Sequence, residues 1–214
     1  MDYNSKSHYV EFCVRKKTSG KDMDVTKLFN EIRSCTLCSK DLPLGPRPII
    51  RGSASAKLVI IGQAPGTKVH ASGVPWDDAS GKRLRSWLGL TPEVFYDESK
   101  IAIVPMGFCY PGKSKSGDLP PRHECAPLWH DRVFELLPNI KLTILIGQYA
   151  QERYLGIRYK ENLTETVRNW KEYIESGFLP LVHPSPRNGI WLRKNPWFEG
   201  EVVPHLKQKV EVCI

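Results

Sequence analysis

Long apolar runs are missing from this chain of 214 residues. No stretch approaches the roughly 18 residues that a membrane-spanning helix needs. The opening segment MDYNSKSHYVEFC lacks the apolar stretch of a signal peptide, so a cytoplasmic protein is expected. Internal repeats and low-complexity linkers are absent too, which excludes repeat arrays. No Gly-x-Ser-x-Gly elbow occurs, so an α/β-hydrolase reading lacks its nucleophile. Acids are in deficit, 23 against 31 lysines and arginines, for a formal charge of +8. That balance favours polyanionic partners such as nucleic acid, although a soluble basic surface accounts for it as well. What is present is ordinary: 41% hydrophobic and 25% charged residues exclude disordered, collagen-like and coiled-coil chains and imply a packed core. The length suits a polar arm over residues 1–20 followed by a single domain over 21–214. Six cysteines without an export signal point to reduced thiols or metal ligands rather than disulfides.

Four apolar runs read as buried parallel strands: Lys57 to Ile61, Ile101 to Val104, Leu142 to Ile146 and Leu179 to Val182. Helical patterns separate them. The first, capped by Asp24 and running to Arg33, carries Val25, Leu28, Phe29 and Ile32 on one face. Others cover Ser80 to Leu88, Arg122 to Leu137, Gln148 to Leu155 and Thr164 to Ile174, and a last one starts near Pro196 and runs toward Val210. Alternating strands and helices imply right-handed crossovers, hence a three-layer α/β/α fold around a four-stranded parallel sheet. Ligands of such sheets bind beyond the carboxyl ends of the strands. Three loops there are dense in special residues: Gly62-Gln63-Ala64-Pro65-Gly66 with Val74 to Gly81, then Pro105 to Gly112, then His183-Pro184-Ser185-Pro186-Arg187-Asn188.

In this order, these loops resemble the uracil-DNA glycosylase superfamily, which pairs a GQDP- or GEAPG-like first motif with an HPS- or HPA-type last motif. The likeness spans about Cys35 to Leu206 and is nearest to the iron–sulfur branches known as families 4 and 5. It implies hydrolysis of the N-glycosidic bond of uracil or another deaminated base, flipped out of DNA, in base-excision repair. The departing base gains negative charge and the sugar positive charge, so the site needs an anion stabiliser, a water positioner and a stacking wall. His183 matches the motif histidine facing the base's O2 oxygen, with a core histidine as the bland reading. Gln63 matches the polar residue beside the base, among the pocket-forming Gly62, Ala64, Pro65 and Gly66. Trp76 stands where the family places a stacking phenylalanine; a core tryptophan is the equal alternative. Asp78 corresponds to a family 5 water activator, with Asp77 its neighbour and competitor, or else it caps the helix that follows.

Two departures stand out. Many members read the uracil edge with an asparagine where this chain has Pro105, and the most active branch has an aspartate where Ala64 stands. Both predict low activity, a different lesion, or a catalytically weak or inactive DNA-binding module on the same fold.

Cys35 and Cys38 form a C-x2-C pair, and Cys109 and Cys125 follow farther on. The resemblance implies that these four hold a structural [4Fe–4S] cluster. Zinc and unligated buried thiols stay open as alternatives. After the histidine, Ser185, Arg187, Asn188 and Arg193 are candidate DNA contacts, Arg187 and Arg193 to phosphates, and Ile190, Trp191 or Leu192 a candidate wedge for the gap left in the stack. A surface loop pinned to the core by Trp191 and Trp197 explains the same residues. The expected partner is DNA carrying a damaged base, bound by a monomer.

Overall fold

The computed structural model describes residues 25–115 and 117–214. The arm over residues 1–20 and the cap at Asp24 lie outside the described residues. Helix α1 (Val25–Arg33) buries Leu28, Phe29 and Ile32 along one stripe. Strand β1 (Leu58–Ile61) leads to α2 (Thr67–Ser72), α3 (Ala79–Leu88) and α4 (Pro92–Phe95). Then come β2 (Ile101–Ile103), a small hairpin of β3 (Lys113–Ser114) and β4 (Gly117–Asp118), and α5 (Cys125–Glu135). Strand β5 (Leu142–Ile146) is followed by α6 (Gln148–Leu155), α7 (Leu163–Arg168) and α8 (Lys171–Ile174). The chain closes with β6 (Phe178–Leu181), α9 (Gly189–Lys194) and α10 (Val203–Cys213).

The four long strands form one parallel sheet in the order β2-β1-β5-β6. Side chains alternate between its faces because strand residues point to opposite sides in turn. Leu58, Ile60, Ile144 and Ile146 join a core with Leu84 and Leu88 of α3, Val167 of α7 and Leu206 and Val210 of α10. Val59, Ile61 and Leu145 join the opposite core with Ile32 of α1, Trp129 and Val133 of α5 and Tyr154 of α6. Three layers result, as the alternation of patterns requires. Strand β6 tolerates Pro180, which cannot donate to a ladder, because it lies at the sheet edge.

Three helix boundaries differ from expectation. The helix expected from Arg122 begins at Cys125. Pro127 has no N–H and fits only the first turn, so an earlier start would have left it in the interior. The helix expected over Thr164 to Ile174 is broken between α7 and α8, where Trp170 packs into the core. The stretch expected as a loop after His183 is a 3₁₀ turn, Pro186–Asn188, followed by α9. The last helical backbone does begin at Pro196, widens into a π turn over Phe198–Val202, and continues to Cys213.

Candidate active site

The loops after β1, β2 and β6 meet at the carboxyl edge of the sheet. Backbone pairing carries the β1–β2 ladder past the strands: Val104 N–H donates to Ile60, Met106 N–H to Gly62 and Gly107 N–H to Gln63, at 3.0, 2.8 and 2.9 Å. Gln63 and Pro105 therefore lie side by side. Behind them, fully buried His130 bonds the Pro105 carbonyl through Nε2 at 3.1 Å and Tyr154 through Nδ1. A carbonyl only accepts, so the proton sits on Nε2 and the Tyr154 hydroxyl donates to Nδ1. Burial, helped by the Arg153 charge, pushes the His130 pKa down to about 4, and the ring is neutral.

His183 follows β6 and lies half-buried beside Trp76, with ring centroids 5.6 Å apart and planes 34° apart. Trp76 has φ +58, the one left-handed non-glycine backbone among the described residues. A bulky residue in that region is strained, and such strain persists only where its surroundings impose it. Here Arg85 donates to the Trp76 carbonyl at 3.2 Å and Tyr96 donates to the Pro75 carbonyl at 2.9 Å. Two motif glycines make the room. A Cβ at Gly81 would fall 1.7 Å from the Trp76 carbonyl oxygen, and one at Gly62 would fall 2.8 Å from the indole edge. Trp76 is thus held on the site side, next to the histidine.

Asp78 caps α3: its Oδ1 accepts from Gly81 N–H at 2.8 Å. The cap reading is realised, and Asp77 beside it is exposed. The His183 pKa is lowered by burial, against which the charges of Asp78 and Asp118 act. Gln63 is committed differently from expectation, its side-chain amide donating to the Leu119 carbonyl at 3.3 Å and so holding the β3–β4 hairpin to the first motif. Ala64 is half-buried and Pro65 buried in that motif, and Gly66 is the N-cap of α2.

In the last motif the polar residues brace the loop. Asn188 donates to the His183 carbonyl at 2.8 Å, Ser185 Oγ accepts from Arg187 N–H at 3.2 Å, and Arg83 donates to the Ser185 carbonyl at 3.0 Å. Arg193 is exposed. Trp191 packs edge-on against Trp197 and Phe198 and donates to Thr164 Oγ1 at 2.8 Å. This is the arrangement of a loop pinned by Trp191 and Trp197: the indole is half-buried and packs against the core, and of the wedge candidates 190–192 the exposed one is Ile190.

Cys35, Cys38, Cys109 and Cys125 line one cavity together with Pro46, Pro48, Phe108 and Trp129. Burial pushes the Cys109 thiol up to about 11 and the Cys125 thiol up to about 12, and raises Cys38 as well. Arg122 borders the cavity, bonding Cys38, Asp41 and Glu124. Among the described residues no three His, Cys, Asp or Glu side chains form a group that could hold a metal ion. Arg47, between the two cavity prolines, donates to the His70 and Ala71 carbonyls at the end of α2. It joins the thiol cavity to the first motif.

Sequence reasoning passed over His130, Arg47, Arg83 and Asp118. The first three act through tertiary contacts 23 or more residues away in the chain, which local pattern does not encode. A family model described as the uracil DNA glycosylase superfamily matches residues 49–207.

Proposed function

The chain belongs to the uracil DNA glycosylase superfamily, and on that premise we propose that it is a monofunctional glycosylase acting on uracil or another deaminated base in DNA. The observation that carries the reading is the Trp76–His183 pair, an aromatic wall in strained backbone beside a recessed histidine. A neutral imidazole can donate a hydrogen bond to the base oxygen as the C1′–N bond breaks, so the departing anion is stabilised without prior proton transfer. Trp76 offers a face for the extruded ring, with Gly62 packed against the edge of its indole. Basic Arg187 and Arg193 follow the histidine in the chain, are exposed and suit backbone phosphates.

The four cysteines would hold the [4Fe–4S] cluster, and the donor set supports this: they line one cavity, and each iron of such a cluster takes one thiolate, so no three need converge on a single ion. Thiolates are its usual ligands, and bound iron would neutralise charge that the cavity otherwise disfavours. Hydrolysis needs no electron transfer, so the group's contribution when bound is to tie residues 35–38 to the loop carrying Pro105. Iron and sulfide content and visible absorption of anaerobically purified protein, with Cys109→Ser as control, test it. A colourless, iron-free protein overturns it.

Function is tested on matched single- and double-stranded oligonucleotides carrying uracil, hypoxanthine or xanthine, scored for alkali-sensitive abasic sites. Cleavage at one of them is expected, and His183→Ala should slow single-turnover excision by about 10- to 1000-fold while nonspecific DNA binding stays. Pro105 favours a second reading, a DNA-binding module on the same fold. Its signature is lesion binding with no abasic product at high protein excess.

A further inference from the structure

The first motif, Gly62 to Gly66, contains no carboxylate, and Ala64 stands where an acid is missed. The fold brings one from elsewhere. Beyond β2, the β3–β4 hairpin pairs Lys113 with Asp118 and Ser114 with Gly117. Its second strand is held against both motif loops. The Gln63 amide donates to the Leu119 carbonyl, Leu119 N–H donates to Gly112 at 2.9 Å, and a Cβ on Gly117 would lie 2.4 Å from the Arg187 guanidinium. Asp118 sits between these ties, its Oδ2 3.5 Å from where a Cβ on Gly66 would stand. Its charge also acts on His183.

The two acids near His183 are in different situations. Asp78 is half-buried and gives one oxygen to the α3 cap. Asp118 is exposed, and among the described residues no side-chain hydrogen bond or ion pair engages its carboxylate. A carboxylate that faces a ligand loop and acts on the site histidine is positioned for a water and a developing cation.

We propose that Asp118 is a catalytic carboxylate of this site, supplying from the hairpin the charge that the first motif lacks at Ala64. The proposal rests on the glycosylase reading. As the C1′–N bond breaks, both its electrons leave on the base, and the sugar's positive charge develops under Asp118. A water oxygen bonds to C1′, its proton passes to the Asp118 carboxylate and on to solvent, and the base anion takes a proton from solvent. No other co-reactant is needed.

The test compares Asp118→Asn, Asp118→Glu and Asp78→Asn in single-turnover excision on whichever lesion the wild type cleaves. Asn remains a good N-cap, so Asp78→Asn removes charge while keeping the helix start. Asp118→Asn should be slower by about 100-fold or more, bind DNA no more weakly, and exceed the loss in Asp78→Asn; Asp118→Glu should recover part of the rate. The His183 ring, followed by NMR, should titrate at lower pH in Asp118→Asn than in the wild type, since an attractive charge is gone. Wild-type excision by Asp118→Asn, or an unmoved His183 titration, overturns the role while leaving the glycosylase standing. A wild type that excises no base overturns the glycosylase reading and the role together.

Discussion

Two clusters of reactive side chains share one loop at the carboxyl edge of the sheet, with Pro105 in one and Cys109 four residues on in the other. They are built in opposite ways. The thiol cavity is lined by prolines and aromatic rings, and burial, helped by the neighbouring thiols, pushes the Cys109 and Cys125 pKa values up. The His183 cluster keeps two carboxylates within reach of its ring and stores strain at Trp76. A closed pocket that suppresses charge suits a permanent occupant, whereas a half-open one with fixed charges and an imposed aromatic wall suits a ligand that arrives and leaves.

That contrast is broken most forcefully through its glycines. Gly81→Ala drives a Cβ into the Trp76 carbonyl, a backbone atom that Arg85 also holds, and should cost about 3 kcal/mol or more of stability. Gly112, at φ +106 near the thiol side, meets only side-chain carbons of Leu119 and Pro43 at 3.2 Å, so Gly112→Ala should cost about 1–2 kcal/mol. Urea unfolding ranks the two. Equal losses would mean that the Trp76 loop relaxes freely and that no strain is imposed there.

His130 supports the shared loop from behind, and its protonation tests how rigidly the two clusters are joined. The folded protein refuses a proton down to about pH 4, while the unfolded chain accepts one near 6.5, so the unfolded state binds more protons in between. Stability from this residue is intact above that window and is lost as pH falls through it, by roughly 3 kcal/mol in all. His183 and His205 are lowered too and add in the same direction. His130→Gln should flatten the slope of unfolding free energy between pH 6.5 and 4. An unchanged slope would assign the acid sensitivity to the other histidines.

Arg47 gives a smaller and sharper probe, since it touches both regions. Arg47→Ala removes two hydrogen bonds at the end of α2 and should cost about 1–2 kcal/mol. Excision should weaken with it, because Gly66 of the first motif caps α2. Lost stability with an unaltered excision rate would show that the clusters are neighbours without being coupled.

Legibility in the sequence follows the same division. The apolar runs at 57–61, 101–104, 142–146 and 179–182 announced the strands because each is buried on the sheet and bounded by loop residues, and His183 and the four cysteines were visible as motifs. Pattern could not reveal Asp118: its strand has two residues, and the next residue, Leu119, is held by Gln63 from 56 residues away in the chain. Asp78 was readable as acid or cap, and only the Gly81 hydrogen bond separates the two.

Trp191 is where composition left two readings side by side, and it carries the smallest prediction. A tryptophan between basic residues after the site histidine has the makeup of a DNA wedge, yet a helical turn rotates it inward, onto Trp197 and Phe198. Trp191→Phe keeps an aromatic ring in the core and removes the bond to Thr164, so it should cost about 1 kcal/mol in urea unfolding. Excision and DNA affinity should stay as they are, because the exposed apolar side chain of that helix is Ile190. Ile190→Ala should reverse the pattern, with stability within about 0.5 kcal/mol and weaker binding to lesion DNA. If Trp191→Phe weakened lesion binding more than Ile190→Ala does, the indole would have to leave the core when DNA arrives. The His183 cluster would then reorganise on binding instead of being held ready.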